Sequence, residues 1–555
     1  MRGPEEMDAP IYMVIKSSIV QSRRGPDKVR PNMPAQTSSR LSQKPRRALV
    51  LRQGRVWRLA LLGLMTVANA QQPSFLWAKR AGGPATTDVS ISDLPGGICV
   101  GPKGDITVVG QFYQTAVFGN RTLTAKGVNP GELGFEDAFF VRYDAAGTVL
   151  WAQRAGGGSR DAAFAVCADR DGNVYATGEF GMMAKFGSQV LSPPPSAPYG
   201  NYDAFLTKLD PSSTFVWTTQ IGTERHDGGY AVAMDPEGNC VVAGSYDRDD
   251  RFNGAIFVAK YTNSGQRLWL RRFGGSQDSR AFALSVNLAG EILVAGFFTD
   301  QATFGTIFVA SVAAQDGFVA KLDSAGNPIW TRTIGTFGTD WASGVGTSAD
   351  GSVYVTGHLN AGSAQFVNKY SASGTLLWTQ QDGGGAIAVD ASGYAYASAY
   401  TGQTHAVFQP SFYSAPSLIS VYSPTGRLVG TVTATGTRTN YVYAVALDGV
   451  GNLNVLGFFN GTGTFGGTTL RSQGDDLFIA RLHSGKPTLG SALSQGKLIL
   501  SWPTNAVGFG LQAAAVMDSP TPWRAFDGIT ETNGASYQAA VPAEGPQRFF
   551  RLSAP

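Results

Sequence analysis

An apolar residue followed by tryptophan recurs along the middle of the chain, at the start of segments that end in or near glycine. The segments LWAKRAGG, LWAQRAGG, VWTTQIGT, LWLRRFGG, IWTRTIGT and LWTQQDGG contain Trp77, Trp151, Trp217, Trp269, Trp330 and Trp378. We align a degenerate seventh copy, LVGTVTATG, with Val429 at the tryptophan position. The copies are about 59 residues apart, a spacing that indicates a repeat architecture.

Each repeat contains three further segments in which apolar and polar residues alternate. A glycine turn joins the first two, as in AVCADRDGNVYATGEF from Ala165, and the third resembles DAFFVRYD from Asp137. Alternation with period two predicts β-strands, and the repeat contains no helical periodicity. Four short strands per repeat predict propeller blades, so the seven copies predict a seven-bladed β-propeller over residues 71–484.

The order of the segments predicts how the ring closes. The repeat region begins with a lone tryptophan strand at Phe75–Arg80, and the last repeat ends at Asp476–His483 without a tryptophan strand. We therefore expect the N-terminal strand to complete the last blade and to protect its edge by hydrogen bonding.

The repeats closely resemble the bacterial SBBP-type seven-bladed β-propeller repeat of exported and cell-surface proteins. The best match is GNLNVLGFFNGTGTFGGTTLRSQGDDLFIARL from Gly451, and its Phe-Gly element recurs at Phe118, Phe186 and Phe304. The resemblance covers roughly 74–484. It implies export and a binding scaffold, without catalytic residues, because that family is defined by its architecture. Repeats three, five and six lack the Phe-Gly element, so we expect shorter blades there.

Residues 490–555 lack the tryptophan repeat and read as further short strands. KLILSWP places Leu498, Leu500 and Trp502 on one face of a strand, and GFGLQAAAV, SYQAAVP and QRFFRLS follow. The stretch resembles the small fibronectin-III-like β-sandwich that ends many bacterial exported proteins. The predicted chain is therefore all-β, with a propeller followed by a small C-terminal sandwich.

Residues 1–70 are typical of a disordered leader that ends in a signal peptide. Basic residues up to Arg58 precede the apolar run Leu59–Val67, and an A-x-A site ends at Ala70. We expect cleavage after Ala70 and a secreted or cell-surface protein; a buried core segment with basic flanks is the alternative. A membrane-spanning helix needs about 20 apolar residues, and we predict none.

The net charge of +4 comes from the leader. Residues 1–58 hold thirteen Lys and Arg against four Asp and Glu, and the rest of the chain carries a net charge of −5. A nucleic-acid-binding protein concentrates positive charge on its folded surface, so we predict no nucleic-acid partner.

The cysteines Cys99, Cys167 and Cys240 are too few for a disulfide framework, and their odd number leaves at least one free. We interpret them as small buried hydrophobic residues.

Recurrent acids are interpreted as structural. After the third strand, Asp144, Asp210 and Asp323 are placed to form Asx turns. We give the same interpretation to the acids that precede that strand, namely Asp137, Asp203, Asp316 and Asp476.

Non-recurrent motifs also fail to indicate chemistry. The GxGxxG at Gly461–Gly466 lies between strands with no helix to receive a pyrophosphate. An EF-hand from Asp247 would need glycine and glutamate where Phe252 and Val258 stand, and Asp249 and Asp250 are assigned to a solvated loop. The four histidines have no paired spacing; they are His226, His358, His405 and His483. We therefore predict no catalytic, metal or cofactor-binding residues.

We expect a monomeric, non-enzymatic binding or adhesion scaffold for an extracellular protein or glycan. Two inserts between second and third strands, Asn120–Glu136 and Gly187–Asn201, are predicted to form one rim with Tyr199 and Tyr202 as contact residues. One alternative is a structural envelope or matrix component. Another is a propeller enzyme of quinoprotein type, because the D-x-x-G-x-x-x-W spacing from Asp144 resembles the tryptophan-docking repeat, although that repeat has one more residue between Asp and Gly.

Overall fold

The computed structural model describes most of the repeat region and parts of the C-terminal region. The described ranges are 73–83, 93–126, 136–194, 202–248, 254–275, 277–400, 417–436, 440–483, 490–494, 497–503, 510–514, 524–533, 536–542 and 549–553. Every regular element in these ranges is a β-strand, and none of them offers a helix that could span a membrane. The expected leader and the cleavage site after Ala70 lie outside the described residues.

The strands of the repeat region form four-stranded antiparallel sets, which we number I to VII along the chain. The N-terminal strand is β1 (Ser74–Gly82). Set I contains β2 (Leu94–Val100), β3 (Ile106–Tyr113), β6 (Glu136–Tyr143) and β7 (Val149–Gly157), with a hairpin β4 (Thr115–Phe118) and β5 (Arg121–Thr124) after β3. Set II contains β8 (Asp161–Ala168), β9 (Val174–Gly181), β12 (Tyr202–Leu209) and β13 (Phe215–Ile221), with a hairpin β10 (Ala184–Phe186) and β11 (Gln189–Leu191) after β9.

The remaining sets repeat this order. Set III contains β14 (His226–Met234), β15 (Cys240–Arg248), β16 (Ala255–Tyr261) and β17 (Arg267–Phe273). Set IV contains β18 (Ser279–Val286), β19 (Ile292–Phe304), β20 (Ile307–Leu322) and β21 (Pro328–Ile334). Set V contains β22 (Trp341–Thr347), β23 (Val353–Leu359), β24 (Ala364–Tyr370) and β25 (Leu376–Gln380). Set VI contains β26 (Ile387–Val389), β27 (Ala395–Tyr400), β28 (Ser417–Tyr422) and β29 (Leu428–Gly436), and set VII contains β30 (Asn440–Leu447), β31 (Asn452–Phe465) and β32 (Thr468–His483).

The first strands of neighbouring sets contact one another. These contacts run from β2 to β8, β14, β18, β22, β26 and β30 in turn, and β30 contacts β2 again. The first strands therefore form a closed ring around an axis, and the later strands lie outside it. Buried residues of adjacent sets pack into shared cores, as Phe140 of set I does with Val174 and Phe205 of set II. The four-stranded sets are thus arranged as in a β-propeller.

The predicted clasp between the chain's first and last repeat strands is confirmed. Strand β1 pairs antiparallel with β32, from Ser74 opposite His483 to Ala81 opposite Leu477, and so supplies the fourth strand of set VII. Arg80 Nε also donates to Asp476 Oδ2 over 2.5 Å.

The Phe-Gly elements form the tips of β-hairpins that reach the preceding set. At the tips, Gly119, Gly187, Gly305 and Gly466 have φ near +60° (58°, 60°, 58° and 59°), a conformation that favours glycine. The β4–β5 hairpin pairs with β1, β10–β11 pairs with β7, and the extended β31 pairs with β29. In set V, which lacks the element, residues 360–363 alone join β23 to β24, so the expected shortening is confirmed there.

The tryptophans of β1 and of the outer strands of sets I to V dock on turns of the next set. The indole N–H of Trp77 donates to Ala145 O at 3.2 Å, and that of Trp378 donates to Pro424 O at 3.1 Å. The same turns contain a glycine for two reasons. Gly147 and Gly426 have positive φ, and a Cβ on either would lie about 3 Å from the indole ring. The D-x-x-G-x-x-x-W spacing therefore combines a turn that receives the tryptophan of the preceding set with a strand whose own tryptophan, such as Trp151, docks on the next set.

The alignment of the seventh tryptophan copy is wrong by one residue. In the outer strands the residue before tryptophan is a β-bulge, such as Leu76 between Phe75 and Trp77. In β29 the bulge falls between Leu428 and Gly430, so Val429 is the bulged residue and Gly430 takes the tryptophan position.

The described C-terminal residues form a separate compact unit. One sheet contains β33 (Gly490–Ser494), β34 (Lys497–Pro503), β37 (Thr530–Asn533) and β38 (Ser536–Pro542); the other contains β35 (Gly510–Ala514), β36 (Arg524–Ala525) and β39 (Phe549–Ser553). Leu498, Leu500 and Trp502 all face one core with Leu511 and Phe550 of the second sheet, as the alternation in KLILSWP predicts.

Candidate functional site

A β-bulge in the first strands turns one side chain per strand away from the ladder. In every described first strand except β26 the register shifts around one residue, and β14 has a second shift around Asp227. A bulge of this kind re-aims the side chain of the extra residue. Because the first strands form the ring, the bulged residues all lie on the strands nearest its axis. We call them the axial collar: Gly96, Phe164, Tyr230, Phe282, Ser343 and Tyr443.

The collar has an aromatic wall. Phe164, Tyr230 and Phe282 follow one another in sets II, III and IV, with ring centroids 5.6 Å and 6.0 Å apart. Phe164 and Phe282 are half-buried, so both residues are partly accessible to solvent. Tyr230 is buried, and its hydroxyl accepts a hydrogen bond from Ser245 Oγ at 3.2 Å. Glycine and serine at Gly96 and Ser343 leave the collar less crowded in sets I and V.

A polar network lies next to the aromatic wall. Glu179 is buried in β9 and accepts hydrogen bonds from Arg160 Nη1 and, at 3.2 Å, from His226 Nε2. Arg160 Nη2 donates to Gln111 Oε1 in set I at 2.9 Å. The network therefore links sets I, II and III at the end of the ring where the first strands begin.

Electrostatic interactions favour the ionised forms of Glu179 and Arg160. Burial raises the pKa of Glu179, but the hydrogen bond from His226 and the charge of Arg160 outweigh it, so the net pKa lies below the ordinary value. Burial lowers the pKa of Arg160, and the charges of Glu179 and Glu136 more than compensate. A charged, partly buried Arg160 beside open aromatic rings can hold a ligand that has both apolar and acceptor groups.

The predicted rim of inserts meets this network at its described ends. Tyr202, the first residue of β12, packs against His226 with ring centroids 5.1 Å apart and the rings tilted by 44°. Glu136, the first residue of β6, acts electrostatically on Arg160. Parts of both inserts, including Tyr199, lie outside the described residues. Their beginnings are the returning hairpin strands β5 and β11 rather than free loops.

A second ion pair continues the polar network in sets III and IV. Arg280 donates to Asp278 through Nε and Nη2, at 3.1 Å and 2.6 Å from Oδ2, and its guanidinium lies 5.5 Å from the ring centroid of Phe297. Farther round the ring, Trp341 stacks on buried His358 with centroids 5.0 Å apart. Burial lowers the pKa of His358 to about 4, so this imidazole is neutral at physiological pH.

The sequence analysis does not identify the collar residues, although three of them lie one position before the alternating segments. The alternating segments begin at Ala165, Ala231 and Ala444, and in each case the bulged aromatic residue comes directly before that alanine. The recurring aromatic-Ala-Val pattern was the available signal. The bulge itself was not visible, because it depends on pairing with the second strand.

The interpretation of the recurrent acids is half right. Asp144 forms an Asx turn, accepting hydrogen bonds from the backbone N–H groups of Ala146 and Thr148 at 2.9 Å and 2.8 Å. The acids before the third strand are not turn residues. They are buried at the start of that strand, where Asp137 accepts from Arg154 and from Lys126 N, and they lie beside an acid of the next set.

The other motifs acquire no chemical role in the structure. Gly461 and Gly463 lie within β31, and Gly466 is at the tip of the hairpin. Asp247 forms ion pairs with Arg225 and Arg272, whereas Asp249, Asp250 and His405 lie outside the described residues. No group of three or more His, Cys, Asp and Glu side chains in the described part of the chain is arranged to hold a metal ion.

Comparisons with known proteins give distant likenesses. No protein-family model matches the chain. It is 24% identical over 237 residues to an uncharacterized WD repeat-containing protein of Acanthamoeba polyphaga mimivirus, covering 36% of this chain and 17% of that protein. It is 23% identical over 211 residues to the regulatory protein FlaEY of Caulobacter vibrioides, covering 35% of this chain and 22% of that protein. The chain thus spans less than a quarter of either relative.

Solved structures give a similar result. Sqt1 of Chaetomium thermophilum is 12% identical with a TM-score of 0.38, covering 74% of this chain and 94% of its own. The propeller domain of the Trilobed protease of Pyrococcus furiosus is 8% identical with a TM-score of 0.38, covering 71% and 94%. Puromycin hydrolase is 12% identical with a TM-score of 0.38, covering 76% and 62%. At such TM-scores the likenesses carry no argument about activity.

Proposed function

We propose that the protein is an exported, non-enzymatic binding scaffold. In this proposal sets I to VII are the blades of a seven-bladed SBBP-type propeller, and the C-terminal unit is a small fibronectin-III-like sandwich. The ligand is an extracellular protein or glycan that binds at the axial collar and the adjoining inserts. The observation that carries the proposal is the series of bulges that places Phe164, Tyr230 and Phe282 side by side around the axis.

The physical argument is that neighbouring, partly accessible aromatic side chains beside charged groups offer a surface that a ligand can cover. Aromatic rings offer a large apolar area with few rotatable bonds, so little entropy is lost when a ligand covers them. Arg160 and Tyr202 add polar contacts beside that area. A protein surface and a sugar ring both combine apolar faces with hydrogen-bonding groups, so the site suits either class.

The first test is a double substitution in the collar. Phe164→Leu with Phe282→Leu removes both half-open rings but keeps apolar side chains in the bulges. We expect affinity for a ligand identified with the wild-type chain, by glycan array or by pull-down from envelope and extracellular fractions, to fall at least about tenfold. Calorimetry or surface plasmon resonance measures the change.

The matched control is Leu268→Ala, at an outer-strand bulge that is 52% exposed and remote from the axis. It should leave affinity unchanged.

Deletion of residues 192–198 from the second insert should weaken binding. It should leave stability within about 1 kcal/mol of the wild type, since loop length has a small effect on stability. A ligand that the collar variant and the deletion variant hold as tightly as the wild type places the site elsewhere. Co-purified pyrroloquinoline quinone would contradict the non-enzymatic assignment.

Export has its own test. We expect mature protein from the extracellular or cell-surface fraction to begin at Gln71, because the A-x-A site ends at Ala70. N-terminal peptide mapping of that fraction measures this directly. Peptides from residues 1–58 in the exported protein would contradict the expected cleavage.

A further inference from the structure

The three cysteines lie in three consecutive sets. Cys99 is in β2 of set I, Cys167 in β8 of set II and Cys240 in β15 of set III, and all are free thiols in the structure. Cys240 is completely buried, and Cys167 is half-buried on the first strand of its set. Although the sequence indicated only small apolar residues, the fold brings these thiols together.

The closest pair spans the boundary between sets II and III. Hydrogen bonding with Cys240 raises the pKa of Cys167, whereas Cys99 and Cys167 interact only through their charges. Cys167 packs against the core that contains Cys240, where Tyr175 of set II meets Val242 of set III. Two cysteines that pack into one core across a boundary between sets can form a disulfide when side-chain movement brings their sulfur atoms to about 2 Å.

We propose that Cys167 and Cys240 form a disulfide that joins sets II and III when the chain folds in an oxidising compartment. The oxidant is a disulfide of low molecular weight or of a thiol–disulfide oxidoreductase. The Cys167 thiolate attacks it and forms a mixed disulfide, releasing one thiolate. The Cys240 thiolate then attacks the Cys167 sulfur and releases the second. Both protein thiols lose a proton, two electrons reduce the oxidant to two thiols, and one S–S bond forms in the protein.

The same surroundings make this bond structural rather than a rapid switch. The hydrogen bond with Cys240, together with burial, raises the pKa of Cys167, and only the thiolate attacks a disulfide. We therefore expect slow oxidation of the folded, reduced chain and much faster oxidation while the chain folds. Once formed, the bond is enclosed by the core and protected from reductants.

The experiment uses the full chain after signal removal, refolded from urea with or without oxidised glutathione and then blocked with N-ethylmaleimide. In the oxidised sample, tryptic peptide 161–170 should be linked to peptide 226–248, with Cys99 alone alkylated in peptide 81–103. Thermal unfolding without reductant should occur at least about 3 °C higher than in the reduced sample. Adding the same oxidant after folding should give the link at least about tenfold more slowly.

Cys99→Ser is the matched control, because it removes the third thiol without touching the pair. The link and the rise in Tm should persist in Cys99→Ser and disappear in Cys240→Ser. Recovery of all three alkylated cysteines from chain refolded with oxidant would overturn the proposal. So would a link between Cys99 and Cys167. Neither result depends on the ligand or on where the protein resides, so this proposal and the proposed function are tested separately.

Discussion

Deletion of residues 71–82 is expected to destabilise the entire repeat region. Strand β1 is the fourth strand of set VII, and its Trp77 also docks on the turn of set I at Ala145. Its loss therefore exposes the edge of β32 and opens a boundary between two sets. Removal of one large buried aromatic side chain costs about 3–5 kcal/mol, so we expect a loss of at least that size. Urea unfolding of the mature chain, followed by circular dichroism, measures it.

Two point substitutions separate the clasp from a general effect of truncation. Trp77→Ala keeps the strand but removes the docked indole, and should account for part of the loss. Lys79→Ala, at an exposed position of the same strand, should change stability by less than about 0.5 kcal/mol. A synthetic peptide of residues 71–82 should partly restore the melting temperature of the deleted chain. If the deletion left the melting temperature unchanged, the ring would close without β1.

Much of this architecture follows from patterns that the sequence displays. Trp77 and its counterparts mark the outer strands because each must be apolar on one side to dock on the next set. The repeat region starts with an extra tryptophan strand, and its last set lacks one. This order of segments predicts the pairing of β1 with β32. Both inferences need only local alternation and the order of segments along the chain.

The candidate site follows from information that a single strand does not contain. Whether Tyr230 faces a neighbouring set or the axis depends on a bulge, and the bulge exists only through the register between β14 and β15. The pairing of Asp137 with an acid of the next set likewise depends on how neighbouring sets pack. Alternation therefore predicts strands and cores well, and it misplaces residues that a bulge re-aims.

Stability is expected to fall as the pH rises from 6.5 to 8.5, because buried carboxyl groups flank the boundaries between sets. Burial raises the pKa of Asp227 to about 6, of Asp93 and Asp203 to about 7 and of Asp161 to about 8, from 3.8. A carboxyl group with a raised pKa in the folded state takes up a proton on folding. The stability it contributes is fully present below pH 3.8 and is lost as the pH rises through the folded pKa.

The geometry of one boundary shows why protonation is favoured. Burial raises the pKa of Asp161 most and the nearby charge of Asp137 raises it further, and together they outweigh the hydrogen bond from Gly157 N to Asp161 Oδ2 at 2.8 Å, which favours the ionised form. A Cβ on Gly156 would lie 2.3 Å from Asp137 Oδ1 and 2.8 Å from Asp161 Oδ2, so the two carboxyl groups converge on this glycine. If the carboxyl groups of Asp137 and Asp161 were both ionised, they would repel each other in a region where water does not screen the charges.

The pH range is chosen so that groups with the opposite dependence do not interfere. His358 has a pKa lowered to about 4, so its contribution is lost as the pH falls below its unfolded value of 6.5. Burial raises the pKa of Glu179, but His226 and Arg160 lower it by more, so the net pKa lies below the ordinary value. The stability that Glu179 contributes is therefore lost only in more acidic solution. Between pH 6.5 and 8.5 the buried aspartates therefore dominate. We expect the free energy of unfolding to fall by about 2 kcal/mol or more.

Asp161→Asn tests the assignment, because an amide imitates the uncharged carboxyl group and the chain itself has Asn440 where β30 begins. The variant should lose part of the pH dependence and be at least as stable as the wild type at pH 8.5. Asp144→Asn is the control. Backbone N–H groups from Thr148 and Ala146 lower the pKa of this exposed turn acid, so its removal should weaken the turn without changing the slope between pH 6.5 and 8.5. Urea titrations at the two pH values measure both variants. An unchanged slope in Asp161→Asn would mean that this carboxyl is already ionised in the folded ring at pH 6.5.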